Sequence, residues 1–320
     1  MNLADHPVFL SLTPVFLLIA AGFLAGRWQW IRGDAVKDLS NLVFLLLIPA
    51  LLFRTMSSVR LEELDLRPIA AYFSAAGLLM AVSIAWRGFN CRSVVMALAG
   101  SFSNMVMIGI TLVGLAYGQS GLVTLLTLVA VHALILLTAG AIILELAAAR
   151  ETRLQGGAAP HVWQTAWSAI KGSIIHPIPL PIICGLLFAQ TGWALPEVVD
   201  RPLQLLGGAF GPRALVLVGV SLAATPLSGH WRDSLWLAAS KNLVLPLMVG
   251  VSAWLFGITG LAWVVLVVAA GLPTGANVFL FAQRYQVVQA LTTAAMGIST
   301  ALALVTLTVV MLVMSWLVPL

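Results

Sequence analysis

Ten stretches of this sequence stay apolar for close to twenty residues or more, and that property alone selects the solvent. A helix needs about 20 apolar residues to cross the hydrocarbon core of a bilayer. In hydrocarbon every backbone amide and carbonyl has to be bonded within the protein, so segments of this length read as spanning helices. They fall near residues 8–26, 35–56, 68–86, 92–117, 121–145, 171–190, 202–225, 234–257, 260–284 and 288–318. Apolar residues make up 61% of the 320 and charged ones 8%, so the expected fold class is all-α integral membrane with ten transmembrane helices. The pI near 9.8 comes without any basic cluster interleaved with aromatics, which argues against nucleic acid as a partner.

The charges sit between segments and orient them. Loops after segments 1, 3, 5, 7 and 9 carry ten Lys and Arg, including Arg27, Arg32 and Lys37 in the first and Arg150, Arg153 and Lys171 in the central one. The alternate loops carry four, of which Arg54, Arg60 and Arg67 stand against Glu62, Glu63 and Asp65. Positive residues stay inside, so both termini are expected outside, the central loop in the cytoplasm, and the protein in the cell membrane. Ten of the eleven tryptophans, Trp163 and Trp167 among them, lie near segment ends, where an indole half in water is favoured. The N-terminus lacks a basic region and a clear cleavage site, so segment 1 is read as a retained helix rather than a signal peptide. Cys91 and Cys184 imply neither a disulfide nor a metal site.

The hydrophilic stretch 151–170 divides the chain into five segments (1–150) and five (171–320). Because five is odd, a repeat of the two halves has to be inverted across the membrane. Echoes fall at matching places. Ala99-Gly100-Ser101-Phe102-Ser103-Asn104 in segment 4 resembles the run from Ala270 to Asn277 in segment 9, and both lead on to a Tyr and a Gln, at 117–119 and 285–286.

Segment 9 is interrupted by Gly271-Leu272-Pro273-Thr274-Gly275-Ala276-Asn277. Proline removes a donor and displaces a carbonyl, and glycine lets another backbone approach. A breaker at this depth is tolerated only where neighbours or a watery cavity replace the lost bonds, and the bare half-helix ends are the device by which carriers hold substrate near the midplane.

Pro273-Thr274-Gly275-Ala276-Asn277, the Ser103-Asn104 of segment 4 followed by Ile108-Gly109-Ile110, and Lys241 five residues before Pro246 together resemble the auxin efflux carrier family. The likeness is to its short bacterial form, which includes malonate permeases, and runs over essentially the whole chain. It implies an inverted repeat with broken, crossing helices 4 and 9. A transport core of helices 3–5 and 8–10 would slide, elevator-fashion, against a scaffold of helices 1, 2, 6 and 7, through which homodimers could form. It also implies that a substrate carboxylate lies at the crossing near Asn104 and Asn277, with Ser103, Pro273, Thr274 and Gly275 around it. One position departs from the family pattern: proline is usual after Ile-Gly-Ile, and here it is Thr111. Helix 4 is therefore expected to be less sharply broken, with the Thr111 hydroxyl bonding back to the preceding turn.

Ionisable groups inside a bilayer are functional candidates by default. Lys241, Arg213 and His132 lie within segments 8, 7 and 5 and are the candidates for ion coupling or charge compensation, although Lys241 could snorkel to the headgroups and His132 could be a neutral ring bonded to the next helix. None of the eleven carboxylates is expected at a segment centre; Glu145, at the end of segment 5, comes nearest. Buried cations without buried anions favour an anionic substrate. Asn104, Asn277 and Thr274 could bond a carboxylate or, as small polar groups often do, only neighbouring helices. The expectation is a secondary active transporter of a small mono- or dicarboxylate, ion- or proton-coupled, with no cofactor and no metal. The alternative is an anion channel, or a sensor that binds a carboxylate without carrying it. An enzyme is disfavoured because no helical Asp pair, Gly-x-Ser-x-Gly elbow or metal-ligand cluster occurs.

Overall fold

The computed structural model describes residues 6–60, 62, 65–154, 178–224 and 231–319. Glu63, Trp163, Trp167, Lys171, the first residues of segment 6 and all of the interval 155–170 lie outside the described residues. The remainder is helical, with no strand among the described residues: α1 (Pro7–Arg27), α2 (Gly33–Leu42), α3 (Ile48–Met56), α4 (Arg67–Arg87), α5 (Cys91–Ser101), α6 (Ile110–Leu154), α7 (Pro179–Gln190), α8 (Glu197–Ala223), α9 (Trp231–Ala239), α10 (Leu245–Leu255), α11 (Gly260–Gly271), α12 (Asn277–Arg284) and α13 (Gln289–Leu317). Each of the ten apolar segments carries helix, and seven helical stretches are long and apolar enough to cross a membrane.

Three π turns interrupt the run, and two have an evident cause. Pro49 and Pro246 have no N–H for the carbonyls four residues back. A wider turn absorbs each: Val43–Leu47 joins α2 to α3, and Ser240–Val244 joins α9 to α10, with the Ile48 and Leu245 amides bonding five residues back to Val43 and Ser240. The third, Met105–Gly109, opens α6. Gly118, at φ 61°, kinks α6 at the expected boundary of segments 4 and 5, and beyond it the helix runs on to Leu154, nine residues past the expected end.

Contacts divide the chain into two units. One holds α1 to α3, the start of α6, α7 and α8. Here α1 and α8 meet backbone to backbone: a side chain at Gly22 would strike the Val216 carbonyl, and one at Gly219 the Ile19 carbonyl. Small residues are what let membrane helices approach this closely. Gly185 gives α7 the same access to Phe53 of α3. Arg54 makes a bidentate pair with Asp200 (2.7 and 3.0 Å).

The other unit holds α4, α5, the later part of α6, and α9 to α13. Ser252 on α10 bonds both the Ser74 hydroxyl (2.9 Å) and the Ala71 carbonyl (2.8 Å) of α4. Trp263 of α11 donates to Gly250 of α10 at 2.9 Å. This unit contains the break in segment 9.

Candidate functional site

α11 ends at Gly271, Leu272 turns extended (φ −61°, ψ 149°), and α12 starts at Asn277. Segment 4 is also broken, and without a proline: α5 ends at Ser101, Phe102 is extended (φ −91°, ψ 110°), and helix resumes at Met105. The break lies upstream of Thr111, whose hydroxyl has no hydrogen-bond partner among the described residues. The expectation that Thr111 would soften the break by bonding back is therefore corrected. What extends the chain here is pairing across space.

The two breaks lie antiparallel, Ser103 opposite Thr274. The Asn104 amide donates to the Pro273 carbonyl at 2.8 Å and the Gly275 amide to the Phe102 carbonyl at 2.9 Å. Each break thus restores bonds the other has lost, as hydrocarbon surroundings require. Gly275 is needed for the approach, because a Cβ there would sit 2.7 Å from the Phe102 ring.

Buried side chains complete the bonding. Thr274 donates its hydroxyl to the Ala99 carbonyl of α5 and its amide to Ser299 Oγ of α13, both at 3.1 Å. Lys241, with no exposed surface, donates from Nζ to the Ala270 and Leu272 carbonyls at 2.6 Å each. It does not snorkel. It caps the broken end of α11, where the helix dipole favours a cation. Its neighbour Asn242 donates to the Ser299 carbonyl (2.9 Å) and accepts from Ser299 Oγ (2.7 Å). Ser103 Oγ pairs with Tyr72 Oη at 2.9 Å.

His132 is 4% exposed and packed among Tyr72, Phe73 and Phe102, with its centroid 4.5 Å from that of Phe102. Its Nε2 has no hydrogen-bond partner among the described residues, so that nitrogen does not supply the expected bond to the next helix. Arg213 is exposed, its guanidinium donating to Ala209 one turn back (3.0 Å); it is not the buried cation expected in segment 7. Glu145 proves buried, 7% exposed, because α6 continues beyond it. It accepts from Tyr285 Oη at 2.7 Å and lies 3.5 Å from Arg284, the last residue of α12.

Four of the candidates, Ser103, Pro273, Thr274 and Gly275, are thus engaged in holding the crossing. Asn104 and Asn277 are half-buried at its edges, Asn277 as the first residue of α12. Tyr72, Asn242 and Ser299 belong to the same network but do not stand out in the sequence, where the one available signal is Asn242, a second polar residue beside Lys241 in an apolar segment.

Residues 7–311 match the sequence family described as membrane transport protein. A protein of Rhizobium meliloti (strain 1021) described as "Putative malonate transporter" is 28% identical over 302 residues, covering 92% of this chain and 92% of that protein.

Proposed function

The chain belongs to the membrane transport protein family, the auxin efflux carriers its motifs resemble, and is a multi-pass membrane transporter rather than an enzyme; from that premise we propose that it carries a small organic carboxylate by alternating access. The observation that carries the reading is the paired break. Lys241 Nζ occupies the carbonyl end of α11, and the positive end of α12 has Asn277 at its opening. An anion with hydrogen-bond acceptors suits that place. Asn277 and Asn104 supply uncharged amide donors that orient a carboxylate without binding it too tightly to release.

In this reading the ten segments form an inverted repeat and move as an elevator. Support comes from the contact division, which puts α1 to α3, α7 and α8 in one unit and the crossing in the other, although residues 105–130, assigned to the moving core, fall with the first. The malonate named for the relative makes a dicarboxylate the first substrate to try. With the positive loops inside, both termini lie outside the cell membrane.

Counterflow uptake of labelled malonate into proteoliposomes, with malate, lactate and indole-acetate as competitors, tests the proposal. Saturable uptake that Asn277→Ala abolishes, in a protein of unchanged thermal midpoint, is the expected result. Wild-type uptake by that variant would remove Asn277 from the site. Flux that neither saturates nor shows counterflow would replace the carrier with a channel.

A further inference from the structure

A cavity of about 870 Å³ lies within the unit that holds the crossing, between α4, the start of α5, and α9 with its following π turn. It is amphipathic from end to end. Leu79 and Val82 of α4 face Leu243 and Val244 of the π turn along one stretch; Arg87, Asn90 and Arg92 close the other. Trp86 and Trp236, 83% and 75% exposed, stand at its rim.

Both walls belong to helices long and apolar enough to span the membrane, so the apolar stretch opens onto hydrocarbon and the polar end lies at their termini. Exposed tryptophans mark the same level, since indoles collect at the headgroups. Among the described residues no carboxylate pairs with Arg87 or Arg92, although Asp233 shares the lining. Arg150 and Glu151 lie beside the polar end through their bonds to Phe89 and Cys91, so the surroundings hold three arginines against two carboxylates. Arg150 donates to the Phe89 carbonyl at 3.1 Å and Glu151 accepts from the Cys91 amide at 2.9 Å. The turn bearing Arg92 is thereby tied to α6, and the positive end of α5 points the same way.

We propose that this groove is a binding site for an anionic phospholipid, with the phosphate on Arg87 and Arg92 and an acyl chain along Leu79, Val82, Leu243 and Val244. A soluble anion would gain nothing from the apolar wall, and a zwitterionic lipid would gain less from the arginines. Basic pockets between membrane helices recognise lipid headgroups by this chemistry. The groove also abuts the crossing through one turn. Ser240, Leu243 and Val244 of the π turn face the groove, while Lys241 and Asn242 face inward to α11 and α13. A bound lipid therefore steadies the turn that caps the broken helix, whatever the carrier's substrate proves to be.

Native mass spectrometry of the full chain, titrated with phosphatidylglycerol or phosphatidylcholine, tests this directly. Wild type should hold the glycerol lipid more tightly than the choline lipid. Arg87→Gln with Arg92→Gln should remove about 25-fold of that affinity, at about fivefold (1 kcal/mol) per arginine near a charged surface. Arg201→Gln, near the start of α8, should not change it. Val244→Trp, which fills the apolar stretch, should weaken both lipids. Equal affinity for the two lipids in the wild type, an unchanged preference in the double variant, or full displacement by millimolar inorganic phosphate would each overturn the site.

Discussion

Gly275→Ala tests the crossing most directly. Built on this backbone, the added Cβ lies 2.7 Å from Cδ1 and 2.8 Å from Cε1 of Phe102, and 3.3 Å from the Ser103 carbonyl oxygen. Carbon atoms rest near 3.5–4.0 Å, so about 0.7–1.3 Å of room has to be found. The Phe102 ring cannot swing aside: it is 5% exposed and backed by His132 at 4.5 Å. Pushing the ring into His132 costs about 1–3 kcal/mol as overpacking. Parting the two breaks instead gives up the Asn104–Pro273 and Gly275–Phe102 bonds, at about 0.5–1.5 kcal/mol each. With both effects the loss is about 2–6 kcal/mol. The control is Gly100→Ala on α5, whose nearest contact would be an ordinary 3.7 Å to Leu237 and which gains helix propensity. Thermal unfolding of the purified protein in detergent, followed by circular dichroism, should show Gly275→Ala melting several degrees below both wild type and Gly100→Ala, with malonate counterflow lost. If Gly275→Ala melts with the control, the two breaks do not approach as closely as the Phe102 contact requires.

Three further outcomes follow from the packing. Lys241→Met preserves apolar volume but leaves the Ala270 and Leu272 carbonyls without their donor, a loss of about 1–3 kcal/mol each; a variant more stable than wild type would mean that burying the ammonium outweighs the cap. Gly219→Val drives a side chain into the Ile19 carbonyl and to within 2.6 Å of the Phe23 amide. Backbone cannot rotate away, so its destabilisation should reach or exceed the top of the about 1–3 kcal/mol overpacking range, and a monodisperse protein with the wild-type midpoint would contradict the α1–α8 contact. Arg54→Gln removes the bidentate pair with Asp200, but with the two side chains 37% and 32% exposed water and salt screen the pair and the midpoint should barely move; a drop of several degrees would show that the pair does more than a surface bridge.

Hydropathy and length are enough to place ten helical segments, because hydrocarbon tolerates little else over twenty residues. The break in segment 9 is legible for the same kind of reason, since Pro273 cannot donate wherever it sits. The break in segment 4 is legible only through its likeness to segment 9. Nothing in Phe102-Ser103-Asn104 forbids a helix, and its extended backbone depends on a partner about 170 residues away in the chain.

What the sequence by itself determined, then, is the solvent, the helical character of its apolar segments, and one interruption. The tertiary structure alone decided which faces meet. In α1 almost every residue is apolar, yet Val8, Leu12, Val15, Ile19, Gly22 and Gly26 are buried while Leu10, Leu17 and Leu24 are exposed. In lipid both faces are equally well solvated, so apolarity carries no information about orientation, and close approach at small residues settles it. The same holds for charge. Lys241 and Arg213 look alike in sequence, each a cation within an apolar segment, but one meets two freed carbonyls and is buried, and the other bonds a carbonyl of its own helix and stays exposed. Partnership in space, which no one-dimensional pattern encodes, made the difference.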